Sequence, residues 1–237
     1  VSTYLSSQDM REVRSVQKSI EESYKSKMLM HVLPKERERF LNLHASIPEQ
    51  IAKGNMRFMY KDMDEKATHR NYFKNIRYIY RMGWAFVVYK LKSTNFPLVE
   101  NTRSDNFIFM IRDVGCLSGL LSEETVEQFS DLNLIQHNPY LINGVADILA
   151  KRNIKLYYAE HGQHDFLVAM VGDKRIGLSY ESDKTLRKMT RLVEQGLLDV
   201  CYNLTTCPLK VDKIGIHLPL YHLMSIGKGT YEEIRWN

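Results

Sequence analysis

The residue with the clearest potential for chemistry is Asp165, because it stands at the head of an apolar run. Phe166-Leu167-Val168-Ala169-Met170-Val171 is typical of a buried strand, and Gly172-Asp173-Lys174 predicts a tight turn after it. A second strand is predicted at residues 175–181 and a helix from about Ser182. A carboxylate in this position could help to hold Mg²⁺ against a phosphodiester.

This order of strand, turn, strand and helix is typical of metal-dependent nucleases of the PD-(D/E)xK type. Their chemistry also needs a glutamate and a lysine, spaced E-x-K, on the second strand. The chain has Ser179, Tyr180 and Glu181 there instead. One acid alone holds Mg²⁺ weakly, and Glu181 reverses the charge that the lysine would supply. The sequence therefore predicts an inactive site, in which Asp165 is a remnant.

A relocated nuclease site is an alternative, because Glu181, Asp183 and Lys184 follow the second strand and could replace the missing groups. Acids at these positions also suit the first turn of a helix, where they offset the helix dipole. Asp165 itself fits a strand-end or turn-capping acid, and we favour that interpretation. No catalytic residue is predicted beyond these candidates.

A zinc site at His161, His164 and Asp165 is a further possibility that the sequence disfavours. The three residues lie at a turn that enters a strand, and no cysteine pair is near them in the chain. Two histidines and one acid are also fewer than the four ligands of a closed zinc site. We predict no metal site.

The composition indicates a folded chain of one large domain or two small ones, with 237 residues, 44% hydrophobic and 26% charged. No apolar run approaches the roughly 20 residues that span a membrane, and the first residues lack the features of a signal peptide. Three scattered cysteines predict a reducing, cytoplasmic compartment. The formal net charge of +5 permits an anionic partner without requiring one.

Three helices followed by a strand predict a winged-helix-like domain over residues 1–95. The helices are expected near residues 8–30, 34–47 and 69–82, and the strand near residues 84–91. Asp9 or Ser7 could cap the first helix, and Pro48 marks a break after the second. Thr68 could cap the third helix, which Gly83 would end.

The helix predicted at residues 69–82 has basic residues at helical spacing, namely Arg70, Lys74, Arg77 and Arg81. Its apolar side is predicted to consist of Phe73, Ile76 and Tyr80, with Tyr72 and Ile79 in support. A basic face beside a wing could bind the phosphates of DNA. A solvated polar face, which amphipathic helices generally have, is the alternative.

A linker is predicted at about residues 93–104, and an α/β domain with a mixed sheet is predicted over residues 105–237. Strands are expected near residues 107–111, 155–160, 166–171, 175–181 and 199–204. Helices are expected near residues 122–132, 139–151 and 183–195, with a short one from Pro219.

Several segments carry a family resemblance in a consistent order. The segment NFIFMIRDVGCLSGLL at residues 106–121 is similar to a family motif FKLYLxDxGLLSxLL, and HLPLY at 217–221 resembles its terminal IPLY. LYY at 156–158 and HDF at 164–166 resemble LYYW…EVDF, while residues 13–17 and 46–52 match connecting helices. The family is that of bacterial and archaeal predicted P-loop (AAA+-like) ATPases with a C-terminal domain of unknown function.

The resemblance implies three modules: an ATPase domain, a winged-helix connector and a domain with a restriction-endonuclease-like fold. The chain contains no G-x-x-x-x-G-K-[ST] motif, so the expected match is to the second and third modules. ATP and Mg²⁺ are implied for the ATPase domain only. The family's helix glutamate maps onto Ile142, its strand glutamate onto Gln163, and the E and K of its second strand onto Ser179 and Glu181.

Three functions follow as hypotheses. In the first, the chain is a regulatory module that binds nucleic acid, with DNA as the candidate, or a protein partner such as its own ATPase domain, but no membrane. In the second, it is a divergent Mg²⁺-dependent nuclease around Asp165. In the third, it is a structural module for oligomerisation.

Overall fold

The structure, a computed structural model, describes residues 2–130, 138–162 and 164–226. Its helices are α1 (Ser2–Ser7), α2 (Met10–Met30), α3 (Arg37–Ala52), α4 (His69–Arg81), α5 (Val114–Leu120), α6 (Glu123–Ser130), α7 (Pro139–Lys151) and α8 (Asp183–Glu194). Its strands are β1 (Ala85–Leu91), β2 (Thr102–Ile111), β3 (Lys155–His161), β4 (His164–Val171), β5 (Lys174–Tyr180), β6 (Val200–Thr205), β7 (Lys210–Val211) and β8 (Ile216–Pro219). Short 3₁₀ helices lie at Pro34–Glu36, Tyr60–Asp62, Leu98–Asn101 and Leu220–Ser225.

Local sequence signals fix the ends of the principal helices. The Asp9 side chain accepts a hydrogen bond from the Arg11 amide and caps α2. The Thr68 hydroxyl accepts from the Asn71 amide and caps α4, and Gly83 follows that helix with a φ of 70°. Glycine adopts this left-handed conformation without steric cost. The predicted cap of α2 at Asp9 and the predicted start and stop of α4 are confirmed.

The predicted break at Pro48 is wrong, because α3 continues through this residue to Ala52. A proline inside a helix removes one backbone hydrogen bond and costs about 3 kcal/mol. The helix beyond it is held by Gln50, whose side chain accepts from the Met59 amide at 2.7 Å and donates to the Met59 carbonyl oxygen at 2.9 Å. Pro48 and Ile47 are both buried. Tertiary contacts therefore outweigh the local preference.

Eight strands form one mixed sheet in the order β2-β1-β3-β4-β5-β6-β8-β7. β3, β4 and β5 pair antiparallel, whereas β5, β6 and β8 are parallel. β1, the strand predicted as part of a wing, pairs in parallel with β3. The mixed α/β class with a mixed sheet is thus confirmed. The sequence did not predict β7 and β8, which have two and four residues and are too short to show an alternating pattern.

The chain divides into two compact units. The described part of the first comprises residues 2–87, 109–130 and 138–144, and that of the second comprises residues 88–108, 145–162 and 164–226. The predicted linker at 93–104 falls in the second unit, where it contains the 3₁₀ helix Leu98–Asn101 and the first residues of β2. The domain bounds 1–95 and 105–237 stay predictions.

Each unit has its own apolar interior. In the first, Phe40, Leu43 and Ile47 of α3 are completely buried. Gly119 of α5 lies so close to α2 that a Cβ atom there would come within 3.0 Å of the Gln17 carbonyl carbon. In the second, residues of α8 pack with residues of β4 and β6, among them Leu186, Met189, Val168 and Cys201. Among the described helices, none has the length and apolar character needed to cross a membrane.

Candidate nucleic-acid interface

One face of α4 is anchored in the apolar interior of the first unit. Tyr72, Ile76 and Ile79 are buried, and full burial of an aliphatic side chain contributes about 1.5–3 kcal/mol. Residues three and four apart lie on the same side of an α-helix, so these positions define a single inner face.

Two polar contacts fix the rotation of α4 about its axis. The Asn75 Nδ2 donates to Glu36 Oε2 at 3.3 Å, and Asn75 is buried. The Tyr78 hydroxyl donates to the Met28 carbonyl oxygen at 2.8 Å. Both contacts join α4 to segments distant in the sequence. They turn the residues on the far side of the helix toward solvent.

The outer face of α4 consists of exposed basic residues, namely Arg70, Lys74, Arg77 and Arg81. Within the described part of the chain, none of the four side chains makes a hydrogen bond or an ion pair. The helix itself contains no aspartate and no glutamate. Neither an acid within the helix nor an ion pair with a described residue therefore neutralises the positive charge of this face.

The cations on the outer face of α4 repel one another. Arg70 and Lys74 are four residues apart, as are Arg77 and Arg81, and like charges at that spacing destabilise a helix by about 0.2–0.5 kcal/mol per pair. A bound polyanion would offset this repulsion by its attraction to both cations of each pair. The outer face is therefore better suited to a negatively charged ligand than to water alone.

The predicted apolar side of α4 is wrong for two of its residues, Phe73 and Tyr80. Ile76 is buried as expected, but Phe73 is 48% exposed and Tyr80 is 54% exposed. At 100° per residue, Phe73 and Tyr80 project about 60° and 40° from Ile76, away from the inner face that Tyr72 and Ile79 define. The spacing of apolar residues gave the period of the helix correctly but placed the boundary of its buried face wrongly.

Arg175, a cation of the second unit, differs from the cations of α4 because its side chain is bound on several sides. Its Nε donates to Asp199 Oδ2 at 2.9 Å, its Nη1 to the Thr94 carbonyl oxygen at 3.0 Å, and its Nη2 to the Gly196 carbonyl oxygen at 2.8 Å. The guanidinium also lies over the Phe96 ring, 5.0 Å from its centroid. The hydrogen bond from Arg175 holds the pKa of the Asp199 carboxyl below its usual range. Arg175 thus has a structural role, whereas the outer cations of α4 make no such contact with any residue that the structure describes.

A second basic face lies on α8 and was not predicted as a binding surface. It comprises Lys184, Arg187, Lys188 and Arg191. Their spacing of three and four residues is visible in the sequence, but only Lys184 was considered there, as a group for a relocated nuclease site. Unlike α4, α8 also contains two acids, Asp183 in its first turn and Glu194 at its end.

Asp165 lies exposed at the start of β4, and its backbone is in register with Glu160 of β3. Opposed residues of an antiparallel pair project from the same face of the sheet. The nearest acid across the strand pair is therefore Glu160, which forms an ion pair with Lys90.

Glu181 is directed toward β6, on the far side of β5 from Asp165. Its Oε1 accepts from the Thr205 hydroxyl at 2.6 Å and from the Thr206 amide at 2.9 Å, and its backbone has a φ of 39°. β4 and β6 flank β5, so they lie about 10 Å apart. Asp183 and Lys184 are exposed in the first turn of α8, next to the capping Ser182.

A row of polar side chains crosses the parallel strands at Ser179, the position onto which the resemblance maps the acid of E-x-K; Ser179 and Asn203 are buried, and His217 is partly buried. Ser179, Asn203 and His217 are in register on the parallel strands β5, β6 and β8. Asn203 Oδ1 accepts from the Ser179 hydroxyl and from the Ser182 amide, each at 3.0 Å. His217 Nε2 lies 3.4 Å from Asp212 Oδ2. The row joins the strand ends to the start of α8.

The remaining family positions do not complete a metal site. Ile142 is partly buried on α7, and Gln163 lies outside the described residues, as does the side chain of His164. His161 is exposed at the end of β3. Among the described residues, no group of three or more His, Cys, Asp or Glu side chains could hold a metal ion.

No protein-family model, curated protein or solved structure matches the chain. The resemblance to the ATPase family, and the roles that it implies, therefore stay predictions from the sequence motifs.

Proposed function

We propose that the chain is a nucleic-acid-binding module and that the outer face of α4 is its contact surface. The observation that carries this proposal is the group of four exposed cations without a partner among the described residues, on a helix without acids. Polyanion binding by such a face is driven by the release of counterions from the phosphates. Phosphate contacts of this kind need exposed cations but no particular fold.

The proposal extends to the finer fold. We propose that α2, α3, α4 and the strand that follows correspond to a winged-helix connector. In the same way, the order β4, β5, α8 is what a nuclease-like domain of the predicted family would have. The sequence motifs support both assignments, as does the order of the elements. On this basis the partner in cis is an ATPase domain, which would bind ATP and Mg²⁺.

We further propose that the nuclease-like domain is inactive. The support is the position of Glu181, whose carboxylate is bound by Thr205 and Thr206 on the side of β5 away from Asp165. A divergent nuclease would need these acids to share a metal ion. No observation favours oligomerisation, the third hypothesis, over the binding of nucleic acid.

The proposal is tested by removing charge from α4. An α4 charge variant (Arg70→Gln, Lys74→Gln, Arg77→Gln, Arg81→Gln) is compared with an α8 charge variant (Lys184→Gln, Arg187→Gln, Lys188→Gln, Arg191→Gln). Both lose four positive charges, so net charge is matched. Affinity for a labelled duplex and a labelled oligothymidylate strand is measured between about 50 and 200 mM salt.

The α4 charge variant is expected to lose at least about a hundredfold in affinity and most of its salt dependence, because each phosphate contact contributes about 0.9 to the salt slope on duplex. The α8 charge variant is expected to stay within about threefold of the unmodified chain. Equal losses in both variants would show that binding follows net charge alone. Absence of binding by the unmodified chain would refute the proposal.

A further inference from the structure

The outer face of α4 presents two aromatic rings together with its cations. Phe73 and Tyr80 are each about half exposed. Seven residues of α-helix advance about 10 Å and complete about two turns, so the two rings project from the same side. Around the helix, the cations follow directly beside them, and Arg77 is the nearest in angle.

Packing does not account for the position of these rings. The Phe73 ring meets the His69 ring edge-on, with 5.6 Å between the centroids. The Tyr80 hydroxyl makes no hydrogen bond to any described residue. Large aromatic side chains contribute most to stability when they are buried, and these two remain in solvent next to cations that make no ion pair with a described residue. Aromatic rings beside cations are the combination with which proteins bind single-stranded nucleic acid.

We infer that the outer face of α4 binds single-stranded nucleic acid, with Phe73 and Tyr80 stacked on bases and the cations on phosphates. This inference rests on the proposed function and names its ligand class. Every base has a π-face, so stacking on an aromatic side chain is tolerant of sequence. In a duplex the bases are already stacked on one another, and the two rings would gain little from it.

Charge complementarity favours a nucleic-acid strand over an acidic protein. The four cations lie between residues 70 and 81, a distance of about 16 Å along the helix axis, with no acid among them. A single strand supplies a negative charge at each nucleotide and a flat ring beside it. An acidic peptide supplies the charge but not the rings, so it would leave Phe73 and Tyr80 unused.

The test separates the rings from the charges. A ring variant (Phe73→Leu, Tyr80→Leu) keeps all four cations and replaces exposed rings by a good helix former. Its affinity for labelled oligothymidylate is expected to fall by about tenfold for each ring. Its salt slope, and its affinity for labelled duplex, are expected to stay unchanged because the phosphate contacts remain.

Two controls accompany the ring variant. Tyr24 of α2 is 48% exposed, so Tyr24→Leu is a matched change on another helix and is expected to have no effect. Phe73→Tyr with Tyr80→Phe keeps both rings and is expected to keep single-strand affinity. Thermal unfolding of each variant shows whether the fold is retained, as expected for exposed positions.

The outcomes distinguish the inference from the proposed function. If the ring variant binds oligothymidylate as well as the unmodified chain does, the inference fails, while the charge variants still test the proposed function. If the unmodified chain binds neither probe, both fail. Ring-dependent binding of polyglutamate as tight as that of oligothymidylate would indicate an acidic protein partner and would overturn the inference.

Discussion

Helices α4 and α8 have the same number of basic residues on an outer face, yet they differ in what surrounds those residues. Both have an inner face of buried side chains, such as Ile79 in α4 and Leu186 in α8. α4 contains four arginine or lysine residues and no acid, whereas α8 contains four and two acids. Only α4 exposes aromatic rings beside its cations.

The difference shows that a basic helix face alone does not indicate a binding site for nucleic acid. The cations of α8 accompany Asp183, which lies in the first turn where an acid offsets the helix dipole. Such a helix is ordinary for a solvated surface. α4 combines cations on a helix without acids with exposed rings; the like charges lower the stability of the helix, and the exposed rings add little to it. A ligand that neutralises the charge and covers the rings would account for both.

The largest expected effect concerns the inner faces, where the two helices should behave alike. Ile79→Ala and Leu186→Ala each remove a completely buried side chain, so each is expected to lower the free energy of unfolding by about 2–5 kcal/mol. Phe73→Ala on the outer face is expected to cost less than about 1 kcal/mol. Urea titration measures all three, and a loss at Phe73 equal to that at Ile79 would show that the faces of α4 are assigned wrongly.

A smaller effect separates bound cations from unbound ones. Arg175→Gln removes the side-chain partner of Asp199 and leaves only the backbone amide of residue 175 to donate to that carboxylate, and we expect a loss of about 2–3 kcal/mol in the free energy of unfolding. Arg77→Gln removes no contact among the described residues and relieves repulsion, so the expected change is within about 0.5 kcal/mol and of stabilising sign. A destabilising Arg77→Gln would indicate that this side chain has a structural role.

The same pair predicts a pH dependence. The pKa of the Asp199 carboxyl is held below its usual range, first by the hydrogen bond from the Arg175 side chain. The resulting stability is present above the ordinary aspartate pKa of about 4 and is lost as the pH falls through the lowered pKa. In Arg175→Gln this part of the acid destabilisation should be smaller, because only the backbone hydrogen bond from residue 175 remains. Unfolding titrations below about pH 4 compare the variant with the unmodified chain.

The limits of prediction from sequence follow from the same helices. Thr68 and Gly83 mark the ends of α4 through contacts within a few residues, so the sequence predicts them well. The exposure of Phe73 and Tyr80 depends on which neighbours cover the helix. Those neighbours are residues distant in the chain, such as Met28, which accepts a hydrogen bond from Tyr78.

The candidate site shows the same division between local and distant contacts. The basic spacing of α4 was predicted, and so was the order of strands and helix around Asp165. The orientation of Glu181 was not, because it depends on Thr205 and Thr206 of a later segment. The helix break predicted at Pro48 was wrong for a related reason, because the contacts of Gln50 with Met59 hold the helix beyond the proline.

The smallest expected effect comes from adding an acid to α4 or removing one from α8, because the acids distinguish the two helices. Asn71→Asp places an acid in the first turn of α4, as Asp183 does in α8. One unit charge about 10 Å from a phosphate in water changes the interaction energy by about 0.4 kcal/mol, which is about twofold in affinity. Asn71→Asp is therefore expected to weaken oligothymidylate binding about twofold to threefold at low salt. The variant should also gain helix stability from the dipole.

Asp183→Asn is the matched control, because it removes an acid from the corresponding turn of α8. If binding occurs at α4, this change should leave oligothymidylate affinity unaltered in a competition titration against the unmodified chain. Affinity gained in Asp183→Asn and unchanged in Asn71→Asp would transfer the contact surface to α8. That outcome would show that the absence of acids in α4 does not contribute to binding. The contact surface for nucleic acid would then lie in the second unit.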